Sequence, residues 1–128
     1  DTLVHWLVKN QKTNFSKAFL KEVRGSLRAE LSYKIIAGIN DHYALEVSPA
    51  TGRPHQIRVQ LASMGCPIRG DVKYGFPLRN EDASINLHAR KLVFSHPVTK
   101  KLTEIIAPLP ETKEWQKFKG LEMMDINE

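Results

Sequence analysis

The chain has 128 residues, 41% of them hydrophobic and 26% charged; this is one domain's worth of ordinary globular composition, which excludes a disordered tail, a collagen-like repeat and a coiled coil. Nineteen Lys and Arg against fourteen Asp and Glu leave a net charge of +5, with an isoelectric point near 9.4, so a polyanionic partner is allowed. No apolar run approaches the roughly 20 residues that span a bilayer. The single cysteine, Cys66, can form no internal disulfide, and no secretory signal is visible. A cytoplasmic protein that does not enter the membrane is the expectation. Because the chain opens on Asp1 rather than Met, it is expected to be a piece of a larger unit.

Leu3, Trp6 and Leu7 are spaced i, i+3, i+4, which fits either a short amphipathic helix or a strand running into a loop. Residues 9–25, rich in Lys, Asn, Ser and Thr, read as a loop with a basic face, anchored by Phe15, Phe19 and Leu20. Residues 27–36 read as a strand. Gly38 and the three residues after it are turn chemistry, and the next segment alternates with Tyr43, Leu45 and Val47 on one face, which makes a hairpin. Pro54 suits the first position of a helix whose apolar stripe is Ile57, Leu61 and Met64. Gly65 and Pro67 end it. Residues 68–84 read as a long loop, residues 87–94 as a strand, and residues 101–106 as its hairpin partner, with Trp115 and Phe118 on a short C-terminal helix. The order of elements predicts an α+β fold: a mixed, mostly antiparallel sheet with flanking helices. Along the chain it predicts a lead-in of loop or short helix over 1–26, a core over 27–110, and a C-terminal helix and tail over 111–128.

His5, His42, His55, His88 and His96 are scattered without metal-ligand spacing, so no metal is expected. Cys66 reads as a small buried packing residue. With neither a phosphate-binding glycine loop nor a Gly-x-Ser-x-Gly elbow, no cofactor is expected. The informative stretch is Thr51-Gly52-Arg53-Pro54-His55-Gln56-Ile57-Arg58. It puts two guanidiniums, an imidazole and an amide at the start of one helix. His55 and Arg58 share a face, and Arg58 lies roughly 100° around from Ile57, at the rim of the apolar stripe. Gly52 allows close backbone approach or a positive φ. Two readings stay open. Arg58 is a solvated cation at a helix start, where the dipole disfavours it, or it neutralises a carboxylate or phosphate with bidentate geometry that Lys could not reproduce.

A second cluster, Arg69-Gly70-Asp71-Val72-Lys73-Tyr74-Gly75, brackets an acid and a phenol between glycines. A third pairs Arg90-Lys91 with Lys100-Lys101 on the terminal hairpin. Each is either ordinary turn and surface chemistry or a contact for phosphates.

These segments together resemble the RluA-type pseudouridine synthase family. The matching residues are Thr51-Gly52-Arg53-x-His55-Gln56-Ile57-Arg58-Val59, Gly65-x-Pro67-Ile68-x-Gly70-Asp71 and Tyr74-Gly75. They continue with Leu87-His88-Ala89, Leu92 and Phe94, His96-Pro97-Val98-Thr99, and Ala107-Pro108-Leu109-Pro110. The blocks run in register over 27–110. The resemblance implies a cofactor-free enzyme that flips a uridine of structured RNA (ribosomal or transfer RNA) out of its stack and isomerises it. It implies that Arg58 is the counterion that keeps a catalytic Asp ionised in a dry pocket, with Ile57 walling that pocket. Gly52, Arg53, His55, Gln56, Gly70, Asp71 and Tyr74 would support it. Arg53, Arg69, Lys73, Arg90, Lys91, Lys100 and Lys101 are the candidate RNA contacts. The family's His-Arg-Leu-Asp motif, which carries the nucleophile, is absent from these residues. So is its Lys-x-Tyr-x-Ala strand; Tyr33 lies one strand too late, and Asp71 matches a structural position. The chain therefore reads as the C-terminal portion of such a catalytic domain, inactive alone and prone to self-association through uncovered apolar surface. The alternative is a non-catalytic RNA-binding remnant of the same fold.

Overall fold

The structure is a computed structural model that describes residues 1–39, 42–112 and 115. It divides into two compact units, residues 1–85 and 86–128. The first unit is a four-stranded antiparallel sheet in the order β2-β1-β3-β4, with β1 at Thr2–Asn10, β2 at Phe15–Phe19, β3 at Leu27–Ile39 and β4 at His42–Pro49. One helix, α1 (Gln56–Ser63), packs on the sheet. The α+β class with an antiparallel sheet is the fold observed.

The first departure from the sequence reading is at the N-terminus. Residues 1–26 are not a lead-in of loop or short helix; they hold two strands, and β1 is flanked on both sides, by β2 and β3. The i, i+3, i+4 spacing misleads because β1 carries apolar side chains on both faces. His5 and Leu7 are buried, while Val4 is exposed. The turn after β1 is built by Asn10, whose Oδ1 accepts from the N–H of Lys12 at 2.9 Å and of Thr13 at 3.3 Å. Asn14 supplies the left-handed residue (φ 52°), a conformation that asparagine tolerates better than most residues.

The second departure is in the helix. Pro54 is not its first residue. His55 is the N-cap, held at φ 55° and ψ 18°, and the helix begins at Gln56. The buried face is Gln56, Val59, Gln60 and Leu61, not the expected stripe of Ile57, Leu61 and Met64; Ile57 and Met64 are only half-buried. Two glutamines can face inward because each amide reaches partners on the sheet. Gln60 Nε2 lies 2.8 Å from His5 Nδ1 and donates to Ala29 O at 3.3 Å. The helix does end as expected, with Gly65 at φ 82°. Cys66, expected to be buried, is exposed: its N–H turns back to Leu61 O at 3.0 Å, which finishes the helix and leaves the side chain outside the core.

The core of the first unit is Leu7, Ala29, Val59 and Tyr74, with Ala18 and Ala62 packed against it. The segment expected as a plain loop over 68–84 contains a single 3-10 turn, Val72–Tyr74, and it delivers the tyrosine to this core. The second unit contains the expected hairpin, shortened to β5 (Lys91–Ser95) and β6 (Leu102–Ile106) in antiparallel register. His96 builds its turn, Nδ1 accepting from the N–H groups of Val98 and Thr99 at 3.1 and 3.2 Å. The C-terminal helix expected around Trp115 and Phe118 lies, except for Trp115, outside the described residues. No described helix is long and apolar enough to cross a membrane.

Candidate functional site

Two short elements each present a pair of side chains three residues apart. His55 is the left-handed N-cap of α1 and Arg58 lies in its first turn. Asp71 is the N-cap of the 3-10 turn and Tyr74 its last residue, one turn further on. The pairs meet rung on rung. Arg58 Nε donates to Asp71 Oδ2 at 2.9 Å and Nη2 donates to Oδ1 at 2.8 Å. The Tyr74 hydroxyl lies 2.7 Å from His55 Nδ1. The Arg58 guanidinium carbon is 5.0 Å from the centre of the Tyr74 ring, within cation–π range. Phe15 stacks on the tyrosine's ring with centroids 4.9 Å apart. Four residues scattered over twenty positions thus become one cluster.

Backbone geometry makes the second pair possible. Asp71 N–H donates to Ile68 O at 2.9 Å, and Tyr74 and Phe76 both return their N–H groups to Asp71 O. Gly70 opens this turn at φ +86°, and a Cβ there would lie 2.7 Å from Asn80 Nδ2 and 2.8 Å from Ser84 O. Glycine is obligatory at that position. Gly52 is different: a Cβ at that position would meet nothing within 4 Å, and its φ is not positive, so the expected need for a glycine there is not met by any close approach or turn.

Gln56 braces the loop before the helix. Its Oε1 accepts from Thr51 Oγ1 at 2.7 Å and from the Arg53 N–H at 3.0 Å, and its Nε2 donates to Glu30 O at 3.0 Å. Arg53 is oriented by Nε donating to Arg28 O at 2.9 Å. Both motif residues therefore tie the loop to β3. Ile57 stands beside Arg58, half-buried.

The electrostatics follow from these contacts. Asp71 is 1% exposed and Arg58 20% exposed, so the carboxylate is dry and the guanidinium reaches toward solvent. The hydrogen bonds that Arg58 donates to Asp71 raise the Arg58 pKa above its ordinary value, so the cation is permanent. Burial lowers the His55 pKa, and the nearby cations Arg58, Lys73 and Lys9 lower it further. The Tyr74 oxygen accepts from the Ser16 N–H at 3.0 Å and shares one proton with His55 Nδ1 at 2.7 Å, a contact suited to a neutral imidazole.

The candidate RNA contacts lie in both units, and several are engaged by neighbouring groups. In the first unit Arg53 is committed to β3, Arg69 Nη1 lies 3.4 Å from His42 Nε2, and Lys73 Nζ donates to Thr13 O at 3.5 Å. In the second, Arg90 donates to Ala107 O, Lys91 lies 3.7 Å from Glu104, and Lys100 and Lys101 are exposed at the hairpin turn. Sequence reasoning took Phe15 only as an anchor of a loop and missed Ser16; together they complete the cluster around Tyr74. Among the described residues no group of three His, Cys, Asp or Glu comes together to hold a metal.

No family model matches the chain. The individual relatives agree among themselves. The chain is 41% identical over 85 residues to an RNA pseudouridine synthase of Synechocystis, covering 60% of this chain and 29% of that protein. It is 37% identical over 92 residues to the ribosomal large subunit pseudouridine synthase C of Vibrio vulnificus, covering 67% of this chain and 29% of the relative. Its fold matches the structure of human RNA pseudouridylate synthase domain containing 4 with a TM-score of 0.65 at 21% identity, over 87% of this chain and 52% of the human one. The chain belongs to the RNA pseudouridine synthase family. It spans about three tenths of the length of the curated relatives it matches.

Proposed function

We propose that the protein to which this chain belongs isomerises uridine to pseudouridine in ribosomal or transfer RNA, and that this chain contributes the arginine of its active site. In that reaction the bond from ribose C1′ to N1 breaks, the freed uracil turns, and C1′ bonds to C5. The proton leaves C5 and N1 ends protonated, so no cofactor or redox partner is needed. The observation that carries the reading is Arg58: a permanent cation on the family's motif, immobilised yet partly exposed. A carboxylate in a dry pocket needs such a cation to stay ionised. These residues supply the cation and not the nucleophile, since no His-Arg-Leu-Asp stands among them. The proposal is that the nucleophile comes from the same protein's preceding sequence and that the 128 residues alone are inactive. RNA would be met by Arg53, Arg69 and Lys73 in one unit and by Arg90, Lys91, Lys100 and Lys101 in the other, in the cytoplasm.

The test is tritium release from RNA labelled at C5 of uridine. The protein carrying the upstream reading frame should release tritium, and the 128-residue chain should not. Arg58→Ala in the longer protein should cut turnover by about 10³-fold or more, and Arg58→Lys should restore only part, because the planar fork is lost. Wild-type turnover in Arg58→Ala, or an upstream frame without a His-Arg-Leu-Asp motif, would overturn the reading.

A further inference from the structure

The Arg58 guanidinium has two edges, and they are used differently. The edge formed by Nε and Nη2 is closed by Asp71, with both hydrogen bonds under 3 Å. Nη1 has no hydrogen-bond partner among the described residues, and the side chain keeps 20% of its exposure. The Tyr74 ring lies against the guanidinium at 5.0 Å. Tyr74 is in turn fixed by stacking on Phe15, by the Ser16 N–H and by His55.

We propose that Asp71 and Tyr74 are positioning residues that hold Arg58 so that its Nη1/Nη2 edge stays open to receive a second carboxylate. A free arginine at a helix start samples many rotamers, and freezing it costs side-chain entropy when a ligand must do the freezing. Here the fold has already frozen it. A carboxylate arriving at the open edge meets two N–H donors in a fixed plane, the geometry that makes arginine–carboxylate pairs strong. Asp71 does this without competing for that edge. Its two oxygens are both engaged by Arg58, and it is 1% exposed, so it is walled off from substrate and cannot itself act as a nucleophile. The pairing has a second consequence. Neutralisation by Asp71 makes Arg58 a weaker long-range attractor for phosphates, and favours a short-range, directional ligand over a polyanion. The inference deepens the proposed function, because the arriving carboxylate is taken to be that of the nucleophile.

Two measurements separate the positioning from the enzymology. In the 128-residue chain, the Arg58 Nε–H should give a nitrogen–proton correlation whose exchange with water is slowed relative to the other arginines. Asp71→Asn should speed that exchange by about tenfold or more, Asp71→Glu should recover part of the protection, and Tyr74→Phe, which keeps the ring, should retain it. Circular dichroism of each variant shows whether the fold is kept, and Tyr74→Phe keeps the question open to decision if Asp71→Asn unfolds. An Arg58 Nε–H that exchanges as freely as the other arginines in the wild-type chain overturns the positioning. In the longer protein, Asp71→Asn should lower kcat about 10²-fold with KM changed less than about threefold, and Asp71→Glu should restore part of kcat. An effect confined to KM would mean that the open edge serves a phosphate of the RNA, and would overturn the assignment to a carboxylate. If the wild-type longer protein has no synthase activity, the proposed function fails, and the exchange measurement still decides the positioning.

Discussion

At the residue scale the chain turns on how buried polar groups find partners. His5 is the plainest case. Gln60 Nε2 points at two backbone carbonyls and at His5 Nδ1, so the amide nitrogen donates and Nδ1 must accept. The ring proton therefore sits on Nε2, 3.2 Å from Ser63 Oγ, and a second proton would face a donor. Burial lowers the His5 pKa from 6.5, and His55 is lowered from the same value. A base whose pKa is depressed on folding is protonated first in the unfolded chain. Stability contributed by the two neutral rings is complete above pH 6.5 and declines as pH falls through that value toward their folded pKa values. Urea midpoints should therefore drop between pH 7.5 and 5.5, and His5→Gln should flatten that dependence; an unchanged slope in His5→Gln would show that His5 is not one of the groups responsible. Asp71 belongs at this scale too. Asp71→Ala leaves Arg58 with an unmatched edge in a partly buried site. It should cost about 2 kcal/mol, below the range for fully buried pairs because Arg58 retains solvent access.

At the element scale, the sequence showed the end of α1 better than its beginning. Gly65 and Pro67 follow local chemistry, and the helix stops where they say. The start depends on Gln56, whose side chain satisfies Thr51, Arg53 and the far carbonyl of Glu30. No periodicity announces a glutamine whose partners lie on β3. Gln56→Ala should lose about 2 kcal/mol by taking the acceptor from the Arg53 N–H and the Thr51 hydroxyl, read as a lower thermal midpoint. The turn carrying Asp71 is equally tertiary. Gly70→Ala combines a positive φ with a Cβ driven against Ser84 O. It should destabilise by about 2 kcal/mol or more and should loosen Arg58 without touching it. Gly52→Ala meets open space and should leave stability within about 0.5 kcal/mol of wild type. The contrast between these two glycines, checked by the same melts, tests which of them the fold requires.

At the scale of the whole molecule, the two units differ in how they are held. In the first, a four-stranded sheet is covered by a helix and a buried cluster. The second contains a two-stranded hairpin with Leu92, Val93, Leu102, Ile105 and Ile106 exposed, and such hairpins are at best marginally stable in water. Amide exchange should be fastest by orders of magnitude in β5 and β6 and slowest in β1 and β3. The exposed apolar residues, with the open edges of β2 and β4, favour association between copies of this chain. Sedimentation velocity should show growth in mass with concentration, and a monomer at all concentrations would exclude it.

The sequence by itself determined the class of fold, the family and the identity of the motif residues, because these depend on local pattern: alternation in β3 and β4, glycine and proline at the helix end, and five blocks in register. It left residues 3–8 open between helix and strand and misread 9–25 as loop, because strand pairing is a long-range choice and β1 is apolar on both faces. It also left Arg58 between a solvated cation and an ion-pair partner. Only the tertiary structure decided that, by setting a 3-10 turn thirteen residues along the chain against the start of α1. Asp71 and Tyr74, which read as turn residues in isolation, became the groups that aim it. A guanidinium's chemistry is written in its own residue, but its direction is set by whatever the rest of the fold places beside it.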